Sequence, residues 1–306
     1  MNNQEITNWL LEGDVSIRYQ TYRDLLGKEK PELQNQIEIQ GWGAEYLRMR
    51  NNKGHWGNAF YSPKWTSSHY TLLELRNLEI SPDSKPIRES LEMILNTEKG
   101  IDGGLNPGGV TYKSDVCING MGLNYCCYFK MPQNLMEHIV DFILSQKMPD
   151  GGFNCQLNRI GAHHSSMHTT ISVLEGILQY RLNGYKYRID ELLEVEKTSQ
   201  EFLLQHQLFK SDKTGDIIKK QFLTLSNPTR WYYNILRVLD YFQEADFPYE
   251  ERLQNALDVL EKKKTKEGIW KVQAKHPGKV FFEMEKPGQM SRWNTLKALR
   301  VLKHFR

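Results

Sequence analysis

The chain has 306 residues, 39% of them hydrophobic and 25% charged, with a net charge of +3 at pH 7. That composition supports a sizeable buried core, and the weak positive charge gives no reason to expect a nucleic-acid partner. No apolar run approaches the roughly 18 residues of a membrane span, and the opening Met1 to Glu5 lacks the basic and apolar regions of a signal peptide. The four cysteines (Cys117, Cys126, Cys127, Cys155) show no paired spacing of a disulfide framework. The expectation is a cytoplasmic protein with reduced thiols.

In chain order, one pattern returns. Apolar helical segments open at Ser16-Ile-Arg-Tyr19, Thr66-Ser-Ser-His69, Ser114-Asp-Val-Cys117, Ser165-Ser-Met-His168, Thr229-Arg-Trp231 and Ser291-Arg-Trp293. The positions Tyr19, His69, Cys117, His168, Trp231 and Trp293 lie 50, 48, 51, 63 and 62 residues apart. In the first four, Ser or Thr stands three residues earlier. There its hydroxyl could accept an orphan N–H of the first turn, which puts each of these positions near the third helical residue. Amphipathic segments alternate with them: Thr7 to Leu11 and residues 32–49, 85–97, 133–147, 189–209 and 249–264. Gly-rich loops lead into the apolar helices: Gly54-His-Trp56, Gly103-Gly-Leu105, Gly151-Gly-Phe153 and Gly268-Ile-Trp270. No region is rich in strand signals.

A helix pair of this kind cannot bury its apolar stripe alone, so neighbouring pairs must stack. The apolar helices need cover on more than one side, which favours closure of the stack. The expected architecture is an all-α, single-domain (α/α)6 toroid of six helical hairpins over residues 1–306. The repeats and their Gly-Gly-Phe loops resemble protein prenyltransferase β subunits and squalene cyclases. Gln146 to Phe153 is similar to the glutamine–tryptophan motif of the cyclases, with Phe153 in place of Trp.

That resemblance implies a site. Asp115 and Cys117 open one inner helix and His168 opens the next, which is similar to the zinc pattern of prenyltransferase β subunits. Carried over, Asp115, Cys117 and His168 would hold Zn²⁺ with one position open. His69 would stand nearby, and Asp115, His168 and His69 would be the catalytic groups. Arg18, Arg230 and Arg292 would offer an anionic subsite for a diphosphate. Trp56, Trp65, Tyr112, Phe153, Trp231, Tyr232 and Trp293 would line an apolar cavity, where they could stabilise a cation; ordinary core packing is the competing reading.

The function implied is a zinc-dependent enzyme acting on an isoprenoid or isoprenoid diphosphate, with a helical protein partner as in prenyltransferases. The protonating Asp-x-Asp-Asp motif of squalene-type cyclases is missing. The alternatives are a metal-free terpene cyclase-like enzyme, a non-catalytic binding scaffold, or a carbohydrate-active (α/α)6 enzyme using carboxylates such as Asp102, Asp115 or Asp150.

Overall fold

The computed structural model describes residues 1–107 and 113–306, with the side chain of Asn158 left out. In chain order the helices are α1 (Asn3–Leu11), α2 (Val15–Gln20), α3 (Pro31–Gln36), α4 (Gly41–Arg48), α5 (Ser68–Asn77), α6 (Lys85–Thr97) and α7 (Val116–Tyr128). There follow α8 (Glu137–Ser145), α9 (Leu157–Ile160), α10 (Met167–Leu182), α11 (Ile189–Gln205), α12 (Ile235–Glu244), α13 (Gln254–Lys262) and α14 (Arg292–Phe305). Among the described residues, pairing of extended backbone is confined to four isolated bridges. The fold is all-α.

The chain divides into two compact units. Unit 1 comprises Met1–Arg48, Leu78–Ser81 and Leu204–Arg306; unit 2 comprises Met49–Asn77 and Pro82–Leu203. Unit 2 is built on α5, α7 and α10, with α5 against α7 and α7 against α10. These helices are buried nearly all round: in α7, every residue from Ile118 to Cys127 is in the core. The α7–α10 crossing is close because it is made by glycines. A Cβ on Gly120 would lie 2.6 Å from the Ser172 backbone, and one on Gly176 would lie 2.5 Å from the Gly120 carbonyl oxygen.

Unit 1 is built on α2, α12 and α14, with α14 against both of the others. A buried ion network joins the three. Asp240 of α12 receives Arg300 Nη2 of α14 at 2.6 Å and Lys297 Nζ at 3.0 Å. Arg300 Nη1 also reaches Asp24, in the π-helical turn that continues α2, at 2.9 Å.

The Gly-rich loops share one construction. The first glycine of each takes a positive φ: 80° at Gly54, 85° at Gly103, 95° at Gly151 and 88° at Gly268. Two residues on, Trp56, Leu105, Phe153 and Trp270 are each 0% exposed. The main chain of each is held by one polar side chain of the following inner helix. Trp56 N donates to Ser68 Oγ (3.0 Å), Leu105 N to Asn119 Oδ1 (2.7 Å), Phe153 N to Thr170 Oγ1 (3.0 Å) and Trp270 N to Thr295 Oγ1 (3.0 Å). The same side chains donate back to the four carbonyls. Buried backbone groups are thereby satisfied outside any helix ladder.

Three details differ from the sequence-based expectation. The segment expected as one helix over 32–49 is broken at Gly41, where φ is +70° and Trp42 N turns to Asp14 Oδ2 at 2.8 Å. The serines expected as helix caps act as donors instead. Ser16, Ser114 and Ser165 give both N–H and hydroxyl to the loop carboxylates Asp14, Asp102 and Asp150. The fifth inner helix begins at Ile235, capped by Asn234, whose side chain accepts from Arg237 N at 2.9 Å. Trp231 therefore precedes the helix, displaced by a turn in which Arg230 takes φ +58°.

Two outcomes test this architecture. Thr170→Val should strand the buried Phe153 N–H and cost about 1–3 kcal/mol, read as a lowered thermal midpoint. Asp240 offers a pH test. Burial alone would raise its pKa, but Arg300 and Lys297 outweigh burial and hold it far below the ordinary carboxylate range. A depressed folded pKa means that the contribution is full above the unfolded value of about 3.9 and fades as pH falls below it. Asp240→Asn should cost about 3 kcal/mol near neutrality, and its deficit against the parent should shrink below about pH 4. A deficit constant with pH would contradict this account.

Candidate functional site

Within unit 2, polar and aromatic groups gather where the loops at 55–67 and 153–166 meet the first turns of α5, α7 and α10. His69 is fully buried among the rings of Phe60, Tyr61, Tyr70 and Tyr125, with centroids 4.8–5.7 Å away. Its Nδ1 lies 3.1 Å from Tyr125 Oη, while its Nε2 is buried without a partner. Burial pushes its pKa down to about 3, so the imidazole is neutral at physiological pH. Tyr61, half-buried, places its hydroxyl 3.0 Å from that of Tyr70. Burial drives the Tyr61 ionisation upward, and the charges of Cys117, Asp115 and Cys155 would add to the rise. This phenol keeps its proton at neutral pH.

Asp115 stands at the N-cap position of α7, makes no side-chain cap bond, and receives Arg159 Nη2 at 2.6 Å on each carboxylate oxygen. Its pKa is raised, because burial outweighs the lowering by Arg159 and Lys64. Cys117 sits in the first turn of α7, and its N–H donates to Cys155 Sγ at 3.2 Å. Thr169 Oγ1 of α10 approaches the same sulfur at 3.6 Å. Contact with Cys155, together with burial, raises the Cys117 thiol well above its usual range; that same contact lowers Cys155 against the effect of its own burial. His168 is half-buried in the first turn of α10.

The zinc expectation rests on Asp115, Cys117 and His168. Asp115 is engaged by Arg159 and Cys117 by Cys155, and among the described residues no group of three or more His, Cys, Asp or Glu is disposed to hold a metal ion.

A second cluster lies within unit 1. Trp231 stacks on Tyr232 (centroids 4.0 Å apart), and Tyr232 on His276 (3.7 Å, 11° between planes). His276 Nε2 is 3.1 Å from Ser226 Oγ. Glu285, its pKa raised chiefly by burial, accepts from Asn227 Nδ2 and Trp293 N, each at 3.1 Å. Of the expected arginines, Arg292 gives Nε to the Trp9 carbonyl at 2.8 Å and lies over the Trp9 ring, Arg230 is buried, and Arg18 is half-buried in α2.

Of the expected aromatic lining, Trp56 and Phe153 are 0% exposed and held by the loop clasp, while Trp65 and Trp293 are also buried. Trp231 and Tyr232 remain half-exposed, and Tyr112 lies outside the described residues. Sequence reading missed Tyr61, Tyr70, Cys155, Arg159, His276 and Glu285. None stands at a repeat position, so no periodic signal marks them.

Sixteen solved chains match this one in structure. One is a polysaccharide lyase, matched at a TM-score of 0.56 and 12% identity over 98% of this chain and 96% of that one. A type II terpene cyclase from Scytonema matches at a TM-score of 0.37 and 10% identity over 89% and 96% of the two chains. No protein-family model and no curated protein matches the sequence. The chain has the α/α toroid fold. At such identity the likeness carries fold and not activity. Among the described residues, no helix is long and apolar enough to cross a membrane.

The Asp115–Arg159 pair gives a direct test of the unit 2 geometry. Because Arg159 lowers the Asp115 pKa, Arg159→Ala should move that titration upward, read by NMR of the side-chain carboxyl. An unchanged titration would mean that the pair does not form.

Proposed function

We propose that this chain is a carbohydrate-active enzyme that cleaves an acidic polysaccharide by β-elimination in unit 2. The observation that carries the reading is the half-buried Tyr61 hydroxyl. It is backed by Tyr70, kept protonated by burial, and set among the groups around Asp115 and Arg159. Elimination from a uronate needs three things. A cation must offset the carboxylate, a base must remove the proton beside it, and an acid must protonate the departing glycosidic oxygen. Arg159 and Lys64 supply positive charge, His168 is the candidate base, and Tyr61 is the acid. Hydrolysis by paired carboxylates is disfavoured because Asp102 and Asp150 are spent on Ser114 and Ser165. The fold is one that a polysaccharide lyase also uses.

A second reading is the isoprenoid one, with or without zinc. It is favoured by the half-exposed Trp231–Tyr232 stack in unit 1, where an aromatic face could meet a cationic intermediate.

The discriminating experiment offers the protein a panel of uronate polymers and, separately, isoprenoid diphosphates. Unsaturated uronide should appear from at least one polymer, seen by ultraviolet absorbance. Tyr61→Phe should lower kcat about 10²–10⁴-fold with little change in KM, the usual worth of a general acid. Saturated products, or full activity in Tyr61→Phe, would overturn the proposal. Diphosphate release with zinc found by elemental analysis would establish the second reading. Turnover of neither class would point to a binding scaffold.

A further inference from the structure

The site leaves one reactive group without a role: Cys155, at the end of the Gly151-Gly152-Phe153 loop. Its sulfur is held by the Cys117 N–H at 3.2 Å and approached by the Thr169 hydroxyl at 3.6 Å. A sulfur bonded to the main-chain N–H of a residue lies within reach of that residue's own short side chain. All four cysteines are free thiols, but Cys126 and Cys127 are wholly buried in α7 while Cys117 and Cys155 are partly accessible.

We propose that Cys117 and Cys155 form a reversible disulfide that makes unit 2 responsive to low-molecular-weight disulfides. The pair joins a loop to a helix across 38 positions of sequence. The cross-link would pin the loop to the first turn of α7. The next residues form α9, which carries Arg159, the partner of Asp115 at the start of that same turn. Oxidation would therefore add a covalent tie between this segment and α7, where the reduced chain holds it by the Arg159–Asp115 pair and the Cys117 N–H.

The chemistry is thiol–disulfide exchange, here with glutathione disulfide as oxidant. Cys155, as thiolate, attacks one sulfur of the oxidant. A mixed disulfide forms and the first glutathione leaves as its thiolate, taking the proton that Cys155 gave up. Cys117 then loses its proton and attacks the Cys155 sulfur, which expels the second glutathione. Two protein thiols are oxidised, one oxidant disulfide is reduced, and both protons end on glutathione. Cys155 acts first because it accepts hydrogen bonds at the N-terminus of α7, which stabilise its anion.

This inference does not rest on the lyase reading. The test treats the full chain with glutathione disulfide, then counts free thiols and maps peptides by mass spectrometry. Two of the four thiols should be lost, a Cys117–Cys155 cross-linked peptide should appear, and dithiothreitol should restore both. Cys117→Ser should stop at a single glutathione adduct on Cys155. Cys155→Ser should leave Cys117 unmodified. Circular dichroism confirms that each variant is folded. If a folded parent forms no cross-link, if Cys126 or Cys127 is the partner, or if the protein as purified holds zinc that shields both thiols until it is chelated, the proposal fails.

Discussion

The structure depends on a repeated clasp between loop main chain and inner-helix side chain. A residue buried outside a helix or sheet must still satisfy its N–H and C=O, at a cost of roughly 1–3 kcal/mol for a group left unpaired. Ser68, Asn119, Thr170 and Thr295 each satisfy both groups of one buried residue. Each is bidentate because a hydroxyl or carboxamide can accept and donate at once. The glycine two residues earlier permits the left-handed turn that aims the loop residue inward. The large ring in the motif thus serves as a plug: Trp56, Phe153 and Trp270 fill the core at the foot of an inner helix.

Around the clasps, the two units use different means to hold their inner helices together. Unit 2 brings the backbones of α7 and α10 close through Gly120 and Gly176, where even a methyl group would meet main-chain atoms. Unit 1 places charge in the core, with Asp240 shared between Arg300 and Lys297 and with Asp24 on the far side of Arg300. Buried ions cost desolvation and contribute little net stability compared with apolar packing. What they add is register, since the Arg300 fork meets both Asp240 and Asp24 only when α2, α12 and α14 stand at matching heights.

The clasps and the loop carboxylates also determine which groups are left for chemistry. Asp14, Asp102 and Asp150 are bound to the serines at the heads of α2, α7 and α10. Asp115 is different because it stands one residue past such a serine and faces Arg159. The Tyr61 and Tyr70 hydroxyls, the Cys117–Cys155 contact and the Asp115–Arg159 pair then form one neighbourhood in unit 2. That neighbourhood contains phenolic proton donors and the Arg159 cation.

The sequence by itself determined the all-α class, the alternation of amphipathic and apolar helices, and the Gly-x-aromatic loops. All three are local: periodicity reports burial, and a glycine two residues before an apolar plug reports a turn. It also singled out His69, Cys117 and His168, because those positions recur with the repeat, and Asp115 through the resemblance of Asp115-x-Cys117 to a zinc pattern. Tertiary structure decided what each of them meets. Cys155 lies 38 residues from Cys117, Arg159 lies 44 from Asp115, and Tyr125 lies 56 from His69. Their partners stand outside the repeat register: Cys155 in a loop, Arg159 in α9 and Tyr125 further along α7, each brought in by packing. The fifth inner helix shows the same limit. Trp231 holds the repeat position in sequence, but the turn at Arg230 delays the helix to Ile235 and leaves the ring stacked with Tyr232. Periodicity states which face of a helix is buried; only the folded backbone states where the helix begins and which side chains are brought to its first turn.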